Sequence, residues 1–397
     1  MIRLQEKTPL LTQTLTSTDA LAAFCARAAT AAYVTVDTEF LRERTYFAQL
    51  CLVQLALPGT DETEDAVLID PLAQGLSLEP LFDLFRNESV VKVFHAARQD
   101  LEIFHVDGNV VPKPLFDTQV AAMVCGYGDQ VGYETLVRKI TSGGVDKSSR
   151  FTDWSRRPLS DAQKSYALAD VTHLRQIYEH LAAQLEETGR TAWMEEELRV
   201  LTNADNYVVE PDNAWRRLKL RSNSGRFLAV VKELAAFRET HAQTRNIPRN
   251  RVIKDDALME IASSKPKSIE DLSKSRLLLR EARRGEIAEG LIAAVGRGLS
   301  ADPGTFPALP KGRDRSALNP ALADLLRVLL KAKAEEAGVA QKLIASASDL
   351  DDIAAGHHDG LWCKGWRRDV FGEDALRLTR GEIALSAKGQ KVQIIAV

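Results

Sequence analysis

Apolar runs with the β-branched composition of strands are confined to the first quarter of this 397-residue chain. The four runs lie at residues 33–37, 51–57, 66–70 and 90–94. From about residue 211 onward such runs nearly vanish, and apolar residues recur with helical spacing instead. This distribution predicts an α/β domain built on a mixed sheet, followed by small all-α helical bundles.

A Pro- and Gly-rich stretch divides the helical part of the chain into two blocks that resemble each other weakly. In each block a helix and a turn lead to an aliphatic pair and an acidic helix, at 233–262 and again at 329–354. We interpret the blocks as two copies of one small domain. The predicted boundaries are an α/β domain at 1–205, a helical domain at 211–295, a linker at 300–320 and a second helical domain at 321–390.

Charge is unevenly distributed along the chain. Residues 1–200 carry 19 basic and 29 acidic side chains, whereas residues 201–299 carry 19 basic and 13 acidic ones. An acidic region suits the binding of cations, and a basic region suits the binding of polyanions. The alternative is that the two surfaces differ by a few charges without functional meaning.

Three further features of the sequence indicate where in the cell the protein is located. The longest stretch without Asp, Glu, Lys or Arg spans residues 45–60, which falls short of the roughly 18 apolar residues that a membrane span requires. The N-terminus lacks the apolar core of a signal peptide. The four cysteines lie far apart and form no CxxC pair. These features predict a cytoplasmic protein without a membrane partner, a disulfide framework or a cysteine-based zinc site.

The first acidic motif is VDTEF, residues 36–40, at the end of a predicted strand. Asp37 and Glu39 are two positions apart, so both carboxylates point to the same face of that strand. Two desolvated carboxylates repel each other, and a bound divalent cation commonly offsets that repulsion. The alternative is an exposed strand edge that carries two solvated acids.

Two more acidic motifs follow. Asp100 lies shortly after a β run, where α/β sheets place functional sites, although an acid at a helix N-terminus would look the same. Tyr166 and Asp170 are four residues apart on a predicted helix and share one face, although an amphipathic helix with a half-buried Tyr would look the same. Together the motifs match a phosphodiester hydrolase that uses two hard divalent cations, Mg²⁺ or Mn²⁺.

The motifs resemble, in order and in context, the ribonuclease D family of the DEDD exonuclease superfamily, in the branch that has Tyr in the third motif. The matching segments are VDTEF at 36–40, RERTYFAQLCLVQLA at 42–56, HAARQDLEIF at 95–104, FDTQVAA at 116–122 and WSRRPLSDAQKSYALADV at 154–171. The resemblance covers about residues 10–200 and extends, more loosely, to two helicase-and-RNase-D C-terminal (HRDC) modules at about 211–293 and 318–390.

The resemblance implies an RNase H-like fold and a 3′→5′ exoribonuclease that releases 5′-mononucleotides. In that family the residues matching Asp37, Glu39, Asp100 and Asp170 hold two divalent ions, and the residue matching Tyr166 positions the nucleophilic water. The implied substrates have a free 3′ end, including tRNA precursors and other small stable RNAs. The family is usually monomeric, so no obligatory protein partner is expected.

Residues near the acids are candidates for contact with RNA. Phe40 and Leu41 are expected to stack on or wedge against the 3′-terminal bases, with core packing as the alternative. His95 is expected near the terminal phosphate, with a core position as the alternative. Arg156 and Arg157 are expected to meet phosphates, with a solvated basic pair as the alternative.

The basic middle of the chain offers a docking surface for the RNA backbone, because clustered Arg and Lys engage phosphates with little reading of sequence. One cluster lies at the entry to the first helical domain and another at its central turn, and a solvated face is the alternative for both. The candidate residues are Arg216, Arg217, Lys219, Arg221, Arg249 and Arg251.

Two other functions compete with this interpretation. A 3′→5′ DNA exonuclease of the same superfamily would carry the same acids, because RNA is told from DNA by contacts to the 2′-hydroxyl. No polymerase or helicase region and no P-loop accompany the motifs, which favours the ribonuclease. A non-catalytic RNA-binding adaptor would be expected to lack at least one ligand, and all four acids are present.

Overall fold

The computed structural model describes residues 14–59, 65–141, 143–144, 152–309, 313 and 317–397. Within these residues the N-terminal domain contains one six-stranded mixed sheet with the strand order β1-β4-β3-β2-β5-β6. The strands are β1 (Thr14–Leu15), β2 (Tyr33–Leu41), β3 (Gln49–Ala56), β4 (Ala66–Ile69), β5 (Val91–Phe94) and β6 (Leu115–Asp117). Strand β3 runs antiparallel to both of its neighbours, and the other pairs are parallel.

The helices of this domain cover both faces of the sheet. They are α1 (Thr18–Ala28), α2 (Glu79–Arg86), α3 (Arg98–Gly108), α4 (Thr118–Val124), α5 (Tyr133–Leu136), α6 (Asp161–Glu187) and α7 (Thr191–Thr202). Residues of α1, α2 and α3 pack against Val34 and Val36 on one face. Helix α6 packs with Leu52, Ala56 and Leu68 on the other. It begins at a capping box formed by Ser160 and Gln163, which fixes where its first turn starts.

The first C-terminal helical domain has a core of its own, built from residues between 214 and 295. Its helices are α8 (Gly225–Thr244), α9 (Arg249–Val252), α10 (Asp255–Ser264), α11 (Ile269–Leu272) and α12 (Gly285–Ser300). Part of the predicted linker, residues 310–312 and 314–316, lies outside the described residues. The remainder holds one short 3-10 turn at Pro303–Thr305.

The second C-terminal domain also has a separate core, which includes the buried Trp362 and Trp366. Its helices are α13 (Pro320–Ala337), α14 (Gln341–Ile344), α15 (Ala347–Ala354), α16 (Gly365–Arg367) and α17 (Glu373–Thr379). The sequence predicts an all-α module ending near residue 390, but the chain closes with the antiparallel hairpin β7 (Ile383–Lys388) and β8 (Lys391–Ala396). The helical organisation is therefore as predicted, and the hairpin is an addition. Gly389, with φ +62°, allows the tight turn between its strands.

Both helical domains contact the N-terminal domain. Trp366 stacks on Trp193 of α7 with ring centroids 4.5 Å apart, and Arg367 forms ion pairs with Glu196 and Glu197 of the same helix. The contact with the first helical domain is described with the site, because it involves the chain immediately after β2. Among the described helices, none combines the length and apolarity that crossing a membrane requires.

Candidate active site

Strand β2 places two acids at its C-terminal end on one face. Thr35, Asp37 and Glu39 alternate with the buried Val34, Val36 and Thr38, and the contact of Thr35 with Val171 shows that their face lies under α6. The hydroxyl of Thr35 donates to the backbone carbonyl of Val171 at 2.8 Å, which ties α6 to the strand next to the acids. The pairing of β2 with β3 shifts register between Glu39 and Phe40, so the regular ladder is interrupted immediately after the second acid.

Helix α6 brings the third acid to the same place. Asp37, Glu39 and Asp170 each offer a carboxylate oxygen, and these oxygens lie within 4.8 Å of one another. The hydroxyl of Tyr133 donates to the backbone carbonyl of Asp170 at 2.5 Å, which supports this part of α6 from the neighbouring helix. The three carboxylates predicted from two separate motifs therefore form one cluster.

Asp100 stands beside this cluster, in the first turn of α3 and close to the C-terminal end of β5. It is buried, and its carboxylate accepts a hydrogen bond from the hydroxyl of Thr38. Thr38 lies between Asp37 and Glu39 but points to the opposite face of β2. The same strand therefore provides two of the acids and also the hydroxyl that holds Asp100. The sequence contains no signal that would single out Thr38 or Tyr133.

Burial, followed by mutual repulsion, raises the pKa values of Asp37 and Asp100. Burial, and then the charge of Asp170, raise the pKa of Asp37 well above its ordinary range. Burial, and then the charge of Asp37, raise the pKa of Asp100 to about 8. Acids with raised pKa values, facing one another in a cleft, are typical of functional sites rather than of solvated surfaces.

Tyr166 lies one helical turn before Asp170 and is partly buried, with its ring 6.1 Å from that of Trp154. Burial, followed by the charges of Asp170, Glu39 and Asp37, raises the pKa of the Tyr166 hydroxyl above its ordinary value. The phenol therefore stays neutral at physiological pH and can both donate and accept a hydrogen bond. It is suited to orient a water and unsuited to act as an anionic base.

The donor set matches hard cations. Every candidate ligand is a carboxylate oxygen, which is the ligand type that Mg²⁺ and Mn²⁺ prefer. Cation binding would also relieve the repulsion that raises the pKa values of Asp37 and Asp100. The residues present thus fit a divalent metal site.

The other residues predicted near the acids occupy mixed environments. Phe40 packs partly buried against the main core, and Leu41 is partly buried and lines a cavity of about 380 Å³ together with Arg44 and Thr152. His95 Nδ1 lies 3.0 Å from the hydroxyl oxygen of Thr118. Burial lowers the pKa of His95, so a cationic phosphate contact from this side chain is disfavoured.

The predicted basic pair splits into two different environments. Arg156 is 84 % exposed and approaches Asp153 at 3.3 Å. Arg157 donates from Nε and Nη2 to the carboxylate of Asp70, each at 2.7 Å, and from Nη2 to the carbonyl of Cys51 at 2.6 Å. The structure weighs against the phosphate role predicted for Arg157, because its guanidinium joins β3, β4 and the segment before α6.

The basic residues at the entry to the first helical domain are exposed. Arg216 lies over the ring of Trp215 at 5.5 Å, and Arg221 forms an exposed ion pair with Asp256 at 2.6 Å. Arg251, at the central turn, is also exposed. The surface predicted to dock RNA is accessible at these positions and at the two that complete the set, Arg217 and Lys219.

Arg249 has a different environment, which weighs against its predicted role in RNA binding. Its Nε and Nη2 donate to the two carboxylate oxygens of Glu239, each at 2.6 Å, and Glu239 is 1 % exposed. Tyr46, from the segment between β2 and β3, donates its hydroxyl to Glu239 and accepts from Arg249 at 2.8 Å. Asn246 accepts from the backbone N–H groups of Tyr46 and Phe47. We call the set Tyr46, Glu239, Asn246 and Arg249 the Tyr46 interface.

The Tyr46 interface fixes the helical domain to the catalytic domain. Tyr46 lies seven residues after Glu39, so the chain that leaves the acidic cluster is held by the first helical domain. Nothing in the local pattern of RERTYF distinguishes this Tyr from a core aromatic. Its partners are about 200 residues away in sequence, which is why motif reasoning assigned Arg249 to RNA instead.

A mixed sheet whose β2, α3 and α6 bring four acids and a neutral Tyr together has the architecture of a 3′→5′ exonuclease, with an acidic cluster that fits divalent metal. The family model described as 3′-5′ exonuclease matches residues 12–186, and the HRDC domain model matches residues 227–295.

Relatives extend the match to the full chain. Ribonuclease D of Jannaschia sp. (strain CCS1) is 74 % identical over 97 % of this chain and 99 % of its own length. Ribonuclease D of Granulibacter bethesdensis is 48 % identical over 96 % of both chains. The crystal structure of Escherichia coli RNase D, described as an exoribonuclease involved in structured RNA processing, superposes with a TM-score of 0.79 at 29 % identity. It covers 93 % of this chain and 98 % of that one.

The chain belongs to the ribonuclease D family of 3′→5′ exoribonucleases. The predicted resemblance, fold class and enzyme class are confirmed. The relatives favour neither the DNA exonuclease nor the non-catalytic adaptor.

Proposed function

We propose that this enzyme trims the 3′ ends of tRNA precursors and other small structured RNAs, releasing 5′-mononucleotides. The observation that carries the proposal is the cluster of Asp37, Glu39 and Asp170 within 4.8 Å, with the buried Asp100 beside it. These four acids are proposed to hold two divalent ions, Mg²⁺ or Mn²⁺. Such ions, when bound, polarise the scissile phosphate and lower the pKa of water.

The residues of the chain have separable roles in this proposal. The four carboxylates orient the reacting phosphate by fixing the cations to three different elements, β2, α3 and α6. The neutral hydroxyl of Tyr166 accepts a hydrogen bond from the attacking water and aligns it with the phosphorus. Thr38 and Tyr133 hold Asp100 and Asp170 in place.

RNA docking is proposed for the exposed basic residues, because an acidic catalytic half repels the phosphate backbone. The surface comprises Arg216, Arg217, Lys219, Arg221 and Arg251. Phe40 and Leu41 are proposed to contact the last nucleotides, since they directly follow Glu39 and are partly accessible. Arg156 is proposed to join them, since it is exposed and follows Asp153 and Ser155, which line a cavity together with Leu41. Arg157 and Arg249 are left out of this set because both pair with buried carboxylates, whereas the carboxylates beside Arg156 and Arg221 are exposed.

The cysteines and the second helical domain bear on the cellular compartment and the domain organisation of the enzyme. We propose a cytoplasmic monomer, because the four cysteines are free and three of them are buried, as a reducing compartment allows. The second helical domain is proposed to be a further HRDC module, whose role is to hold α7 through Trp366 and Arg367.

The proposal is tested on a tRNA precursor that carries a 3′ trailer. With Mg²⁺ or Mn²⁺ we expect stepwise shortening and release of 5′-mononucleotides, and we expect no reaction with EDTA or with a 3′-phosphate-blocked substrate. Asp37→Ala is the inactive control. Faster digestion of the matched DNA, or cleavage inside the chain, would contradict the proposed substrate and direction.

A further inference from the structure

A buried amide lies directly across from the first catalytic acid. Gln54, in the middle of β3, is 0 % exposed and pairs in register with Asp37 of β2 on one side and with Leu68 of β4 on the other. Among the described residues, neither Oε1 nor Nε2 of Gln54 has a hydrogen-bond partner. Because buried side-chain amides are nearly always paired, this orphaned group requires an explanation.

The strand register gives the direction of the Gln54 side chain. Partners paired across an antiparallel ladder point to the same face of the sheet, with Cβ atoms about 5 Å apart. Gln54 therefore shares the face of Asp37, under α6. On either side of it along β3, Leu52 and Ala56 join the apolar cluster on that face.

Few polar groups are available to the amide on this face. The hydroxyl of Thr35 is already engaged by the carbonyls of Ala56 and Val171, and the other neighbours, Leu68 and Val171, are apolar. Trp154 Nε1 in the same apolar cluster also has no partner within the described ranges, but an indole N–H can only donate. The acceptor directly opposite Gln54 in the strand pairing is the carboxylate of Asp37. A Leu at position 54 would fit the apolar surroundings without an unmet hydrogen bond.

We propose that Gln54 is a positioning residue of the metal site: its Nε2, which has no partner in the described part of the chain, donates to the carboxylate of Asp37 when the site holds a cation. This inference rests on the proposed metal-dependent function. Groups that hold a ligand from behind fix its orientation and raise its affinity for the ion. From β3, which pairs with a strand on each side, the amide would supply this hydrogen bond without adding charge to an acidic site.

The test compares Gln54→Leu with a matched control, Thr35→Val, in the full-length protein. Thr35 is equally buried on the same face, but its hydrogen bonds go to backbone carbonyls. We expect Gln54→Leu to weaken Mn²⁺ binding about 10- to 100-fold, measured by calorimetry and by Mn²⁺ spin resonance. Its melting temperature without metal is expected to equal or exceed that of the wild type. Thr35→Val is expected to lower the melting temperature and to leave Mn²⁺ affinity within about twofold.

Activity provides a second readout. The loss in Gln54→Leu should be recovered at saturating Mn²⁺, because the variant lacks affinity for the cation and retains the reacting groups. Gln54→Met, which keeps an unbranched side chain, repeats the test if the Leu variant does not fold.

The outcomes separate this inference from the proposed function. Unchanged Mn²⁺ affinity in both Gln54 variants would overturn the positioning role and leave the metal mechanism intact. Equal losses of affinity in Gln54→Leu and Thr35→Val would also overturn it, because the effect would then reflect general destabilisation. A wild-type protein that binds no Mn²⁺ and shows no metal-dependent hydrolysis would overturn the proposed function itself.

Discussion

Arg249 and Arg251 lie two residues apart in one basic segment, yet the structure gives them different environments. Arg249 pairs with Glu239 through two hydrogen bonds of 2.6 Å, and the Glu239 side chain is 1 % exposed. Arg251 is exposed. We therefore expect Arg249→Ala to affect stability and Arg251→Ala to affect RNA binding.

The magnitude for Arg249→Ala follows from burial. Removing one partner of a fully buried ion pair typically costs about 3–5 kcal/mol, because the other charge is left uncompensated. Here Arg249 is itself 39 % exposed, and Glu239 keeps the hydroxyl of Tyr46 as a donor, so water and the phenol replace part of the loss. We expect a decrease of about 2 kcal/mol in the free energy of unfolding for the first helical domain and its contact.

The assay combines urea unfolding with RNA binding measured over a range of salt concentrations. Arg249→Ala should shift the unfolding midpoint and leave the slope of log affinity against log salt unchanged. Arg251→Ala should leave the midpoint unchanged and reduce that slope by about 1, as expected for the loss of one phosphate contact. A reduced slope with unchanged stability in Arg249→Ala would refute the assignment of this residue to the Tyr46 interface.

Three further expectations concern the site and its surroundings. Tyr166→Phe should lower kcat by about 10²-fold or more, with KM and Mn²⁺ affinity nearly unchanged, because the neutral hydroxyl only aligns the water; a change confined to KM in steady-state kinetics would argue against this role. Burial and Asp37 raise the pKa of Asp100 from 3.8 to about 8. The metal-free native state therefore binds more protons than the unfolded state between those values, and its stability should fall as pH rises through that window. Thermal melts should show a smaller slope with Mg²⁺ or in Asp100→Asn, in which Asp37 still has a raised pKa, and an identical slope in Asp100→Asn would point to other groups. Arg157→Ala should lower the melting temperature, since it leaves Asp70 without its ion pair, with RNA affinity unchanged; filter binding that shows weaker RNA affinity at full stability would restore the phosphate role.

Sequence patterns predicted those strands whose own residues carry a long enough apolar run. The run at 33–37 became β2, which extends to Leu41, and the run at 66–70 became β4. Strands β1 and β6 have two and three residues, too few for an alternating pattern to appear. The terminal hairpin of the second helical domain was also unforeseen, since its strands carry polar and apolar residues in mixed order and stay largely exposed.

For the site, periodicity alone placed Asp37 with Glu39 and Tyr166 with Asp170, because each pair lies within one element. The two pairs meet only because α6 packs on β2 at one particular position, and no local sequence pattern predicts that packing. The resemblance to a known family supplied that step. Sequence reasoning failed where a basic residue has a distant acidic partner: Arg157 pairs with Asp70 and Arg249 with Glu239. Charge composition cannot tell such residues from exposed ones.

The most direct test of the acidic cluster is the product ladder of a 5′-labelled single-stranded RNA, run with metal-loaded wild type and with Asp170→Asn. We expect the wild type to shorten the RNA one nucleotide at a time from its 3′ end. We expect Asp170→Asn to bind the same RNA with similar affinity and to leave it intact, because one carboxylate of the cluster has lost its charge. Undiminished shortening by Asp170→Asn, with a melting temperature like that of the wild type, would contradict the assignment of catalysis to these acids.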